Sequence, residues 1–141
     1  MGLGDLQPQV TGANIGEVDA SATPYVNIFT APCACVLTGI NLVQAGTLAA
    51  HATNFATCVV TNITDSQEVA RITTETAATG VNALAPDTAE ALALSSTASY
   101  LELDKGDVLQ AAFTEGGTAT TGDLTEAALF VEWVPGTGAG Q

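Results

Sequence analysis

The feature of this chain that most limits its fold is a succession of short apolar runs separated by glycine, proline, asparagine, aspartate and serine. No segment repeats apolar residues at helical spacing over enough turns to predict a helix. Runs of this length and spacing are typical of strands in antiparallel sheets. They predict an all-β fold, an antiparallel β-sandwich of about eight strands with jelly-roll-like connectivity. The predicted strands cover residues 25–30, 35–43, 55–62, 68–74, 90–95, 99–103, 108–113 and 126–134.

The strand FATCVVTN (55–62) indicates how side chains divide between the two sides of a sheet. Successive side chains of a strand point to opposite faces. Both sets contain apolar residues, so we expect the outer face to be partly covered, by a neighbouring subunit. The two sets are Ala56, Cys58 and Val60 on one face, and Phe55, Thr57, Val59 and Thr61 on the other.

The chain length, 141 residues, is that of one domain with one core. The strand pattern places a β-sandwich domain at residues 23–135. Residues 1–22 mix glycine, proline and isolated apolar positions, and we interpret them as an N-terminal arm that orders against a partner; a frayed terminus is the simpler alternative. Residues 136–141 are rich in glycine and predict a flexible tail.

Charge excludes several classes of partner. Fifteen acidic residues stand against Lys105 and Arg71, for a formal net charge of −13. Nucleic acids and anionic membranes both require clustered basic residues, so neither is an expected partner. The simplest interpretation of the acidic surface is solubility and salt tolerance. The first twenty residues lack the pattern of a secretory signal, so we expect folding in a cytoplasm.

Cys33, Cys35, Cys58 and His51 together match the ligand types of a structural zinc site. The Cys-x-Cys spacing is shorter than the two to four intervening residues that zinc sites use. In a reducing cytoplasm cysteines mostly behave as small apolar residues, so we favour buried free thiols over zinc or a disulfide.

The sequence contains no recognisable catalytic constellation. His51 is flanked by alanines, and no nucleophile-elbow motif is present. Carboxylates occur at Glu102, Asp104 and Asp107, but the aromatic residues that line glycosidase clefts are scarce and scattered. A calcium-binding loop near Asp104 or Asp123 is an alternative without a matching motif. We therefore predict no catalytic, metal-binding or cofactor-binding residue, and no enzyme activity.

The stretch SYLELDKGDVLQAAF (99–113) places two apolar runs on either side of four polar residues. It predicts a hairpin in which Gly106 takes positive φ and the aspartates accept hydrogen bonds within the turn. Lys105 would offset their mutual repulsion. The structural turn is predicted at Asp104, Lys105, Gly106 and Asp107.

The order of these features resembles that of the small β-sandwich head decoration (cement) proteins of tailed bacteriophages. The resemblance covers about residues 25–135 and is carried by a hairpin with a Gly-Asp turn and a closing strand that ends near Trp or Tyr. The chain departs from that pattern in its Cys33-Ala34-Cys35 sequence and in its scarcity of basic residues. The matching segments are LTGINLVQAG (37–46), FATCVVTNITDSQEVARITTET (55–76), LALSSTASYLELDKGDVLQAAF (92–113) and ALFVEWVPG (128–136).

The resemblance implies a virion protein without enzyme activity. Such a protein sits on the capsid exterior, binds and bridges subunits of the major capsid protein, and thereby stabilises the head. It further implies a homo-oligomer, a trimer, that assembles in the host cytoplasm. The expected capsid contacts lie in the N-terminal arm, at Leu3, Leu6, Pro8 and Val10.

Two other functions are compatible with a β-sandwich of this composition. A receptor- or glycan-binding virion module would use loops 44–54 and 114–123, which contain no aromatic residue apart from the neighbouring Phe55. A hydrolase would depend on His51 and Asp104. The shortage of exposed aromatics and of general bases argues against these alternatives.

Overall fold

The computed structural model describes residues 7–76, 83–117 and 123–136. Two antiparallel sheets pack face to face, which confirms the predicted all-β sandwich. Sheet A has the strand order β1-β10-β3-β6, with β8 also paired to β3, and sheet B has the order β2-β9-β4-β5-β7. The described strands are β1 (Gln9–Val18), β2 (Tyr25–Thr30), β3 (Cys35–Val43), β4 (Phe55–Asn62), β5 (Gln67–Thr73), β6 (Glu90–Ala91), β7 (Ala93–Leu94), β8 (Glu102–Leu103), β9 (Val108–Gly116) and β10 (Leu124–Pro135).

The connectivity is that of a jelly roll. The first strand of the chain pairs with the last in sheet A, the second pairs with β9 in sheet B, and most connections cross from one sheet to the other. The ten described strands exceed the predicted number of about eight because residues 9–18 form β1 and the predicted strand 90–95 is divided into β6 and β7. Two short 3-10 helices, Ala20–Ala22 and Ala98–Leu101, complete the described secondary structure.

Alternation of side chains builds the core between the sheets. In β4 every second residue from Ala56 to Asn62 is buried, and the intervening residues are only half-buried. β9 alternates in the same way from Leu109 to Phe113, whereas β3 has an irregularity between Leu37 and Ile40 that keeps the apolar residues on both sides of it pointing inward. The largest apolar side chains that are completely enclosed are Leu37, Ile40, Leu42, Val60, Val69, Leu109, Leu129 and Val131.

The prediction of an N-terminal arm over residues 1–22 is corrected for residues 9–18, which form β1. This strand pairs along its length with β10, from Gln9 opposite Trp133 to Val18 opposite Leu124. Two irregularities in the pairing, on either side of Gly16, let the strand follow the twist of its partner. Residues 1–6 of the predicted arm and residues 137–141 of the predicted tail lie outside the described residues.

The prediction of a single strand at residues 90–95 is wrong in one respect, because the segment forms two short strands that pair with different sheets. β6 pairs with β3 of sheet A, and the amide of Leu92 donates to the carbonyl of Ile40. β7 then pairs with β5 of sheet B, and the amide of Ser95 donates to the carbonyl of Val69. One extended segment thus joins two sheet edges and closes that side of the sandwich.

Within the described ranges no helix combines the length and the apolar character needed to cross a membrane.

Candidate interaction surfaces

The four residues Asp104 to Asp107 form a tight turn. The amide of Asp107 donates to the carbonyl of Asp104 at 3.1 Å, and Gly106 has φ of +96°. Two further bonds of 2.8 Å hold the turn against the loop after β2: the amide of Gly106 donates to the carbonyl of Ala31, whose amide donates to the carbonyl of Asp107. The turn is therefore anchored at both ends.

The strands that flank this turn do not pair with each other, so the predicted hairpin is wrong. Residues 98–101 form a 3-10 helix, which leaves only Glu102–Leu103 as a strand, and this strand pairs with β3 in sheet A. β9 pairs with β2 and β4 in sheet B. The turn carries the chain from one sheet to the other.

Asp107 is the buried centre of a polar network at this end of the sandwich. It is only 5% exposed, and its Oδ2 accepts hydrogen bonds from the amide of Asp104 and from Nδ2 of Asn62, both at 3.0 Å. Asn62 is fully buried, donates from Nδ2 to the exposed Asp65 as well, and accepts from the amide of Thr64. The network joins the β4–β5 loop to the turn.

At each of the two places considered for a calcium-binding loop, near Asp104 and at Asp123, one carboxylate is bonded within the protein. Asp107 closes the network just described, and Oδ1 of Asp123 accepts from the amide of Ala20 at 3.2 Å. No group of three or more histidine, cysteine, aspartate or glutamate side chains is arranged to hold a metal ion in the described parts of the chain. The arrangement at the turn supports a structural role.

Replacing Gly106 with valine is expected to lower the free energy of unfolding by about 2 kcal/mol, because a β-branched residue is strained at positive φ. No atom lies within 4 Å of the position a Cβ would take, so crowding adds nothing to this loss. Gly106→Asn should cost clearly less, since asparagine tolerates positive φ better. Urea denaturation of both variants measures the difference. Equal stability of the valine variant and the original chain would show that the turn places no demand on this residue.

The three cysteines are free thiols in the described structure, and Cys35 and Cys58 are buried as predicted. Cys33 is only half-buried. Burial raises the pKa of Cys35 to about 11, with smaller contributions from Cys33 and Asp107, and burial alone raises the pKa of Cys58 to about 12. Both buried thiols therefore remain protonated, and unreactive, near neutral pH.

We expect a maleimide to modify Cys33 in the folded protein, and Cys35 and Cys58 only after unfolding. Mass spectrometry of the labelled protein with and without denaturant measures this. The unfolded chain ionises these two thiols near their ordinary pKa of 9.0, whereas the folded chain keeps them neutral, so stability should fall as the pH rises from about 9 towards about 12. Rapid native labelling of Cys58 would contradict the described core.

The predicted capsid contacts lie in different places. Leu3 and Leu6 are outside the described residues, and Pro8 is exposed just before β1. Val10, on β1, is 62% exposed and points away from the core. Sequence reasoning missed the larger surface to which Val10 belongs, because that surface depends on the pairing of β1 with β10.

We define the outer face of sheet A by two neighbouring rows of residues that cross β1, β10 and β3. Its main exposed apolar groups are Val10 and Phe130, the latter 37% exposed. Glycine occupies one position in each row, so side chains from β10 lie flat across the neighbouring strands. The rows are Val10, Glu132 and Gly39, and Gly12, Phe130 and Asn41.

The two glycines account for the low relief of this face. A Cβ on Gly12 would lie 3.0 Å from the ring of Phe130, and a Cβ on Gly39 would lie 2.7 Å from Oε2 of Glu132. The Phe130 ring therefore covers β1, and the Glu132 carboxylate covers β3 and accepts from Nδ2 of Asn41 at 3.2 Å. The face therefore combines the exposed apolar groups of Val10 and Phe130 with the bonded polar pair Glu132 and Asn41.

The outer face of sheet B is polar and bonded to itself. Arg71 forms a two-point ion pair with Glu68, at 2.7 and 3.0 Å. Elsewhere Gln110 donates to Asn27 at 3.0 Å, and the hydroxyls of Thr57 and Thr73 are bonded at 2.9 Å. Tyr25, at the β2 edge, is its most exposed apolar group at 71%. Since the polar groups already have partners, this face offers fewer new bonds than its size suggests.

The first of the loops predicted for a glycan site, residues 44–54, is held mostly by its own bonds. Gln44 is buried and bonds both backbone groups of Gly46 through its side-chain amide, at 2.6 and 2.7 Å. Nδ1 of His51 accepts from the amides of Thr53 and Asn54. Part of the second loop, residues 118–122, lies outside the described residues. Among the described residues, the exposed aromatic side chains are Tyr25 and Phe130, and neither belongs to these loops.

No protein-family model matches the sequence, and no curated protein matches it significantly. Among solved structures, the chain is similar to a chain of the cyanophage Pam1 capsid asymmetric unit. The similarity covers 93% of this chain and 86% of that chain, with a TM-score of 0.56 and 12% sequence identity. At this identity the likeness concerns the fold.

Proposed function

We propose that the protein is a structural component of a phage virion, a decoration protein that binds the outer surface of the head and stabilises it by bridging major capsid subunits. The observation that carries this proposal is the jelly-roll fold that the chain shares, over nearly its whole length, with a chain of a phage capsid asymmetric unit. Jelly rolls also occur in lectins and enzymes, so the fold alone does not decide the function. The properties of the surface distinguish between these roles.

The charge and the surface support an exterior, non-enzymatic role. A net charge of −13 disfavours contact with packaged DNA, which repels carboxylates, and suits a surface exposed to solvent. The buried carboxylate of Asp107 at the turn accepts internal hydrogen bonds, and Nδ1 of His51 accepts from a backbone amide of its own loop. We extend the proposal accordingly: the protein has no catalytic activity, and its major capsid partner supplies the basic groups that this chain lacks.

We further propose that the chain acts as a homo-oligomer, in the form of a trimer. Oligomerisation would cover part of the half-buried apolar side chains on the exterior of sheet B, such as Val59. Light scattering of the purified chain measures the mass directly.

The proposal is tested with heads assembled without this protein. Purified chain is added to heads of the phage that encodes it, and binding is followed by cosedimentation. We expect saturable binding and a higher temperature for rupture of DNA-filled heads. A chain that stays in the supernatant at micromolar concentration, while folded by circular dichroism, would overturn the proposal.

A further inference from the structure

We propose that the outer face of sheet A is the surface by which this protein docks on its partner, and that the partner presents apolar groups together with a basic side chain that meets Glu132. This inference rests on the proposed function and assigns the contact within it. It places the contact on the folded domain, where Val10 is the one predicted contact that belongs to the face.

The shape of the face fits a broad protein contact. Gly12 and Gly39 remove side chains at two central positions, so Phe130 and Glu132 lie flat and leave no ridge between β1 and β3. Phe130 sits on β10, between its two neighbours, and Val10 adjoins it on β1. Aromatic side chains are enriched in protein interfaces, and the residues that contribute most to binding cluster near their centre.

The charges on this face and elsewhere on the chain indicate what kind of partner can bind here. Glu132 is the charged residue in the two rows that define the face. Both basic residues of the chain lie elsewhere: Arg71 is on the outer face of sheet B, paired with Glu68, and Lys105 is in the turn at the end of the sandwich. Two copies that met through this same face would bring one Glu132 towards another and bury two carboxylates of like charge. A different protein with a lysine or arginine at this point avoids that cost.

The contrast with sheet B supports the choice of face. On sheet B the exterior polar groups of Arg71, Glu68, Gln110 and Asn27 are bonded to one another. A partner there would gain few new bonds. On sheet A Glu132 is likewise bonded to Asn41, but Val10 and Phe130 expose apolar area whose removal from water is favourable.

The test compares three variants in binding to heads that lack the protein. Phe130→Asp places a charge at the centre of the proposed contact, and Tyr25→Asp makes the same change at an exposed aromatic on the outer face of sheet B. We expect Phe130→Asp to weaken binding at least about tenfold and Tyr25→Asp to change it less than about twofold. Thermal unfolding and light scattering of each variant establish that fold and oligomeric mass are kept.

The third variant, Glu132→Gln, tests the charge without removing volume. We expect it to weaken binding at low salt and to flatten the dependence of binding on salt concentration. If Phe130→Asp does not fold, Glu132→Gln still tests the docking face.

The results distinguish a failure of the docking face from a failure of the proposed function. If the original chain does not bind heads, the proposed function itself fails. If it binds and the folded Phe130→Asp and Glu132→Gln variants bind equally well, the docking face is wrong while the function stands. Loss of binding in Tyr25→Asp alone would place the contact on sheet B, and a change of oligomeric mass in Phe130→Asp would make this face a contact between copies; either result overturns the inference.

Discussion

Replacing Asp107 with alanine is expected to lower the free energy of unfolding by about 3 kcal/mol and the melting temperature by roughly 10 °C. The carboxylate accepts two hydrogen bonds at 3.0 Å in a nearly closed environment. Its removal takes a hydrogen-bond acceptor from two donors, the side-chain amide of Asn62 and the backbone amide of Asp104. The β4–β5 loop and the turn lose their common anchor at the same time.

Asp65 provides the matched control for this change. Its carboxylate accepts from the same Nδ2 of Asn62, at 3.2 Å, but it is exposed. Asp65→Ala removes the same chemical group from the same donor, with water available as a replacement. We expect a loss below about 1 kcal/mol. Equal losses for the two variants, measured by thermal and urea unfolding, would show that the burial of Asp107 does not matter.

Replacing Leu129 with alanine should cost about 3 kcal/mol, because it leaves a cavity at the centre of sheet A. Leu129 is fully buried on β10, where it lies opposite Ala13 of β1 and Leu42 of β3. Alanine at this position removes packing from both neighbouring strands and from the facing sheet.

The adjacent residue supplies the comparison. Phe130 points to the outer face and is 37% exposed, so Phe130→Ala should cost only about 1 to 2 kcal/mol although it removes a larger side chain. Calorimetry of the two variants measures the difference. A larger loss for Phe130→Ala than for Leu129→Ala would mean that the two faces of β10 have been assigned the wrong way round.

Much of the fold was predictable because the signal for a strand is local. β2, β3 and β4 begin and end at the residues that their apolar runs indicated. The alternation in FATCVVTN placed Cys58 in the core correctly. The strand bounds and the position of Cys58 both follow from the alternation of side chains between two faces. This alternation is visible in the sequence of one strand, whatever strands it pairs with.

Pairing between distant segments was not predictable in this way. β1 contains Gly12, Asn14 and Gly16, which weaken its strand signal, and its order comes from a partner more than a hundred residues away along the chain. The turn at Asp104–Asp107 was recognisable from its residues, but turn chemistry does not state whether the next strand returns to the same sheet. The outer face of sheet A, which joins Val10 to Phe130, depends on the first of these, the pairing of β1 with β10.

The most direct measurement of the central claim is an image of heads with and without the protein. Heads assembled without the chain are incubated with it and reconstructed by electron cryomicroscopy. We expect added density on the outer surface, in contact with major capsid subunits, into which the jelly roll fits with the outer face of sheet A towards the shell. Reconstructions that are identical with and without the protein, or that show it inside the shell, would contradict the account.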